Sequence, residues 1–165
     1  MISIESGKEI NTVILDYNPN SILFRNTDKY EVISIGKNRL SWIILTQNNF
    51  IPKEFTYSQI GHEDDFEFTS LSEFHSTILI GTNKASVVVF DITSGSFLNQ
   101  YPVYDSEIDL INFSNNFIII GGRSNTIHKW AVPQGKNLKV NQSNLFASRP
   151  KILSVDGNII ALEME

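Results

Sequence analysis

The chain has 165 residues, 41% hydrophobic and 19% charged, the makeup of one ordinary globular domain large enough to bury a core. A net charge of −5 argues against a general nucleic-acid or anionic-membrane binder, which needs a basic surface. The lack of cysteine removes disulfides, cysteine-based zinc sites and thiol catalysis.

The start, MISIESGKEI, has no basic stretch leading into an apolar run, and no apolar stretch reaches the roughly 20 residues of a membrane helix. A cytoplasmic or nuclear protein without a membrane partner is expected. Residues 1–7 resemble residues 89–95 and read as the end of a strand, followed by an outer strand over 8–15. The next strands are expected at 21–26, 30–35, 39–45 and 50–57. Four more follow at 68–74, 77–82, 86–92 and 96–104. Another four are expected at 108–113, 117–121, 126–132 and 138–144, and a last pair at 151–155 and 159–162. Each is a short run rich in β-branched or aromatic residues, bounded by turn residues. Helical spacing with capping signals is absent, so the chain reads as all-β.

The runs repeat. Residues 77–95, TILIGTNKASVVVFDITSG, align without a gap to residues 117–135, FIIIGGRSNTIHKWAVPQG, after a shift of 40. Ile78 falls on Ile118, Gly81 on Gly121, Val87 on Ile127, Phe90 on Trp130 and Gly95 on Gly135. A period near 40 with four strands per unit is that of propeller blades. A blade is apolar on both faces and must stack to bury either. The chain therefore divides into a half-blade at 1–15, blades at 20–57, 68–104 and 108–144, and a half-blade at 151–165. This single domain is an incomplete ring of about four blades. The chain could be the C-terminal part of a larger propeller, its missing blades supplied by another polypeptide or lost through a truncated gene. Two copies could instead join head to tail, one chain could close as four blades, or the stack could stay partly open.

The chain resembles the WD40-repeat family over nearly its whole length. The resemblance rests on Gly61-His62 ahead of the middle blade, Gly81-Thr82 at the end of its second strand, and Phe90-Asp91 in the place of Trp-Asp. Trp42 and Trp130 hold the same aromatic position in neighbouring blades, although Ile43 and Ala131 follow them. Lys84 and Ser124 stand where the family has a turn aspartate. A quinoprotein-like propeller is the alternative, because SGKEI and ITSGSF resemble its Thr-Gly turns; the tryptophan that normally follows is missing. The resemblance implies packing roles for Trp42, Phe90 and Trp130, and a structural hydrogen bond from His62 within its blade.

Chemical signatures are sparse. There is no HExxH, GxSxG, P-loop or GxGxxG motif, and the acidic run His62-Glu-Asp-Asp-Phe-Glu67 lacks calcium-loop spacing. No catalytic residue, metal or cofactor is expected, and His75 reads as a solvated turn residue. The second-to-third-strand turns and between-blade loops should share one face, carrying Lys37, Arg39, His62, Asp64, Lys84, Asp105 and Arg123. Basic groups are expected at one part of each blade tip and acids at another, a mixed face suited to protein recognition. The expectation is a non-catalytic scaffold or interaction subunit. Its alternatives are an enzymatic or ligand-binding propeller using Glu73 and Asp109 on innermost strands, or a truncated product with no function of its own.

Overall fold

The computed structural model describes residues 12–27, 29–46, 50–58, 65–114, 117–124, 126–131, 139–145, 150–156 and 159–164. Among these residues there are fourteen strands in four antiparallel sheets. Sheet 1 holds β1 (Ser21–Asn26), β2 (Tyr30–Gly36), β3 (Arg39–Leu45) and β4 (Phe50–Thr56). Sheet 2 holds β5 (Phe68–Phe74), β6 (Thr77–Thr82), β7 (Ser86–Asp91) and β8 (Ser96–Pro102). Sheet 3 holds β9 (Ile108–Ser114), β10 (Phe117–Gly122), β11 (Thr126–Ala131) and β12 (Lys139–Leu145). Sheet 4 is the pair β13 (Pro150–Asp156) and β14 (Ile159–Met164). Strands are ordered as in the sequence, and sheets 1 to 4 meet through their first strands: β1 with β5, β5 with β9, and β9 with β13. This is the blade order of a propeller, an incomplete ring of about four blades.

The core lies between sheets. Alternate residues of a strand point to opposite faces. Thus Ile78, Ile80, Val88 and Phe90 of sheet 2 pack with Ile33, Ile35 and Leu40 of sheet 1. Their neighbours Leu79 and Val87 pack with Ile108, Ile111, Ile118 and Ile120 of sheet 3. Central strands β6 and β10 are buried almost throughout, whereas outer strands β4 and β8 are largely exposed.

Side-chain hydroxyls and amides tie the innermost strands together. Asn20 Nδ2 donates to the Phe68 carbonyl (2.8 Å), Ser70 Oγ to the Ile108 carbonyl (3.2 Å), and the Phe113 N–H to Ser72 Oγ (3.0 Å). Arg25, nearly buried, bridges Glu31 of its own sheet and Glu73 of the next. These bonds satisfy polar groups that packing removes from water.

Most strands differ from the sequence expectation by one or two residues at an end, and three differences have a visible physical reason. The strand expected over 86–92 ends at Asp91, because the Asp91 carboxylate accepts the N–H groups of Thr93 (3.0 Å) and Ser94 (3.3 Å) and turns the chain. The strand expected to reach 104 ends at Pro102, because the N–H groups of Val103 and Tyr104 both go to the Ala85 carbonyl. Residues 12–15, expected to end an outer strand, carry no strand; a strand exists only as part of a ladder, and no described strand pairs with them. The remainder of the expected half-blade, residues 1–11, lies outside the described residues.

Candidate protein-recognition face

The loops leading into β1, β5 and β9 meet the turns β2–β3, β6–β7 and β10–β11 at one end of the sheets. Backbone hydrogen bonds hold them there: Asn20 N–H to the Ile35 carbonyl (2.8 Å), Asn83 N–H to Glu67 (3.1 Å) and Arg123 N–H to Glu107 (3.1 Å). The approach is close enough that a Cβ at Gly36 would collide with the Asn18 carbonyl oxygen, and one at Gly122 with that of Glu107. Lys37 and Ala85 turn the chain with φ of 49° and 56°, in the left-handed region.

Each of the first three sheets places one cation of its turn region against a carboxylate of its own leading loop. Arg39 pairs with Asp16, Lys84 Nζ lies 2.7 Å from Asp65 Oδ2, and Arg123 Nη1 lies 3.1 Å from Glu107 Oε2. Arg123 Nε also lies 3.8 Å from Asp109 Oδ1. The separation of basic and acidic groups expected at each blade tip is therefore replaced by local neutralisation: Coulomb attraction draws the long cationic side chains across the short gap between turn and loop. Lys37 and Asp105 are exposed on the same end. Gly61, His62 and Asp64 lie outside the described residues.

Three tyrosines that the repeat alignment did not single out hold these loops. Tyr17, 6% exposed, donates to the Ser34 carbonyl oxygen (3.0 Å) and shares a hydrogen bond with the Ser41 hydroxyl (2.9 Å). Tyr57, 4% exposed, donates to Gln100 Oε1 (3.0 Å), whose Nε2 donates to Ser86 Oγ (2.6 Å), itself 2.8 Å from Thr82 Oγ1. Burial raises the Tyr57 phenol above its ordinary pKa. Tyr104 donates to the Thr126 carbonyl and accepts from Ser124 Oγ (2.8 Å). Each tyrosine thus ties a loop to the start of a third strand, Tyr17 and Tyr104 through a hydroxyl directly and Tyr57 through the Gln100 amide. The sequence signal was present as Asp16-Tyr17, Thr56-Tyr57 and Val103-Tyr104, but the unequal spacing hid it from a fixed shift.

The remaining singled-out residues lie on strands and in turns away from these loops. Phe90 is fully buried, with its ring centroid 5.0 Å from Phe55 and 5.1 Å from Phe97. Trp42 is partly buried against the same cluster, with Lys53 Nζ 5.4 Å from its ring centre. Trp130 lies on β11 opposite Ile118 and Val140. Asp91 caps the β7–β8 turn; hydrogen bonds from Ser94 and Thr93 hold its carboxyl below the ordinary aspartate pKa. His75 is exposed in the β5–β6 turn with φ of 52°, and His128 lies edge-on to Tyr104 at 4.8 Å. Glu73 and Asp109 do not converge. They sit near opposite ends of neighbouring innermost strands and face different arginines, Arg25 and Arg123. Among the described residues no three acidic, histidine or cysteine side chains are grouped to hold a metal.

No protein-family model matches the sequence, and no curated protein matches it either. Solved structures do. The β-propeller domain of Cps50 (Swd1) from Myceliophteria thermophila matches with a TM-score of 0.70 at 11% identity, over 88% of this chain and 50% of that one. The computationally designed protein Ika8 matches at 0.60 and 20% identity, over 86% and 42%. A chain of the mitotic checkpoint complex matches at 0.57 and 11% identity, over 87% and 48%. The chain thus spans about half the length of the solved structures it matches. At such low identity the likeness is one of fold, and the fold is that of a β-propeller.

Proposed function

We propose that this chain is a non-catalytic, WD40-like scaffold whose loop end binds a peptide or loop of another protein, in the cytoplasm or nucleus. The observation that carries this reading is the repeated array of turn cation and loop carboxylate in three successive sheets, with Lys37 and Asp105 exposed beside it. Charges fixed in position at an exposed end select a partner by complementarity more than they add raw affinity. The separate engagement of Glu73 and Asp109 favours this reading over a reactive site in the central channel. The likeness to a chain of the mitotic checkpoint complex, a multiprotein assembly by name, also supports protein partners in general.

The test is affinity capture with the wild-type chain and with a K37E/K84E/R123E variant. Exposed ion pairs are worth about 0–1 kcal/mol each, so the variant stays folded. Loss of the partners held by the wild type, with unchanged circular dichroism, is expected. Retention of every partner places recognition elsewhere.

A further inference from the structure

We propose that the outward face of sheet 1 holds a binding groove for a small uncharged amphiphile, an apolar body carrying one hydroxyl or carbonyl group. Three observations lead there, none of them drawn from the charged loop end.

The first is one cross-strand pair. Below the β2–β3 turn, Ile35 pairs with Leu40 and both face sheet 2, so the next pair, Ser34 with Ser41, faces the other way. In sheet 2 the pair Gly81–Val87 is likewise followed by Ile80–Val88, and in sheet 3 Gly121–Ile127 is followed by Ile120–His128. Ile80 and Val88 are fully buried against sheet 1, and Ile120 is fully buried against sheet 2. Where sheets 2 and 3 meet the preceding sheet with isoleucine, sheet 1 presents a serine. Its outward face therefore departs, at this pair, from the apolar contact that joins sheet to sheet elsewhere in the chain.

The second is an unused hydroxyl. Ser41 Oγ shares a hydrogen bond with Tyr17 (2.9 Å), but Ser34 Oγ has no hydrogen-bond partner among the described residues, although Ser34 is only 1% exposed. Buried polar groups are nearly always bonded, and leaving one unbonded costs free energy that a ligand group can restore. Rotation about its Cα–Cβ bond gives the Ser34 hydroxyl three staggered positions from which to meet a group lying over it.

The third is the space beside it. Ser34 lines a groove of about 500 Å³. Val13, Leu15 and Pro19, from the segment before β1, border it, and all four strands of sheet 1 add apolar residues, among them Phe24 and Ile43. Phe24 is 77% exposed. The volume is that of a small-molecule pocket, and so is the makeup, an apolar lining with one polar group to orient what enters. None of the described residues lining it is charged. Burying an unpaired charge there is costly, so the ligand's polar group is neutral.

Diphenylhexatriene, a hydrocarbon that fluoresces in apolar surroundings, is expected to bind the full 165-residue chain and to be displaced by decanol. Decanoate, of the same length but charged, should displace it about tenfold less well. Ser34→Ala should weaken decanol about fivefold, the worth of one hydrogen bond, and leave diphenylhexatriene binding unchanged. Phe24→Asp should abolish binding of both with unchanged far-ultraviolet circular dichroism. Should Phe24→Asp lose its fold, Phe24→Ser removes the same apolar contact without adding charge and must weaken both ligands. Five results would each overturn the proposal: a wild type that takes up no probe, decanoate binding as tightly as decanol, decanol binding indifferent to Ser34→Ala, binding that survives both Phe24 variants, or sedimentation showing the groove closed by a second copy that excludes the probe.

Discussion

Asp91 shows how one side chain sets a strand boundary. It follows three buried or half-buried valines and Phe90, all suited to continue a strand. The chain turns there because the Asp91 carboxylate takes two N–H groups and the Ser94 hydroxyl (2.7 Å), while the Asp91 carbonyl accepts from the N–H of Gly95, whose φ of 66° suits glycine. Ser94, first, and Thr93 hold the Asp91 carboxyl below its ordinary pKa. A depressed folded-state pKa contributes stability that is complete above the unfolded value. That contribution is lost as pH falls through the folded value, because the unfolded chain binds the proton first. Stability should therefore begin to fall below about pH 4, the ordinary aspartate range. In a carbon-detected NMR titration, the Asp91 midpoint should lie below those of unpaired aspartates, and Ser94→Ala should raise it. An Asp91 midpoint unmoved by Ser94→Ala would show that the hydroxyl does not set it.

At the scale of elements, the tyrosines explain how loops of different length can serve equivalent sheets. A loop need only bring one phenol to a polar group that leads to the start of a third strand, a hydroxyl for Tyr17 and Tyr104 and the Gln100 amide for Tyr57. Tyr17→Phe keeps the ring in place but removes its bond to the Ser34 carbonyl and leaves the Ser41 hydroxyl, fully buried, without its partner. An unsatisfied buried polar group costs about 1–3 kcal/mol. Tyr17→Phe should lower the unfolding free energy by about that amount in urea denaturation, and pairing it with Ser41→Ala should restore part of the loss. Additive losses in the double variant would refute coupling through this bond.

The strands themselves were legible because burial on both faces writes nearly continuous apolar runs, as in Ile118-Ile-Ile120 and Val87-Val-Val89, and because two blades share one spacing. The loop end was legible only in composition. Lys84 and Asp65 are 19 residues apart, Arg39 and Asp16 are 23 apart, and Arg123 and Glu107 are 16 apart. Pairing across such uneven intervals is decided by how each loop lies over its turn. Likewise the sequence offers Glu73 and Asp109 as candidates on innermost strands, and only their places near opposite ends of β5 and β9 show that they do not converge.

At the scale of the molecule, a stack of sheets that touch only their neighbours behaves as a nearly one-dimensional array, with stability summed over sheets and the interfaces between them. Two apolar layers divide the burden: one between sheets 1 and 2, centred on Phe68 and Phe90, and one between sheets 2 and 3, centred on Ile108 and Ile120. Sheet 2 contributes alternate residues of the same strands to both. Truncating Phe90 to alanine removes a ring that touches Phe55 and Phe97, at a cost of about 3–5 kcal/mol. The loss falls on the first layer. Val87→Ala, which removes both γ-methyl groups at a fully buried site, falls on the second. Hydrogen exchange read by mass spectrometry should show the slowest amides in β6 and β7 and the fastest in the outer strands β4 and β8. Phe90→Ala should speed exchange in β2 and β3 more than in β10, and Val87→Ala should speed β10 more than β3. Equal acceleration across all sheets by both variants would mean that the stack opens as one unit, and the layered account of its stability would fail.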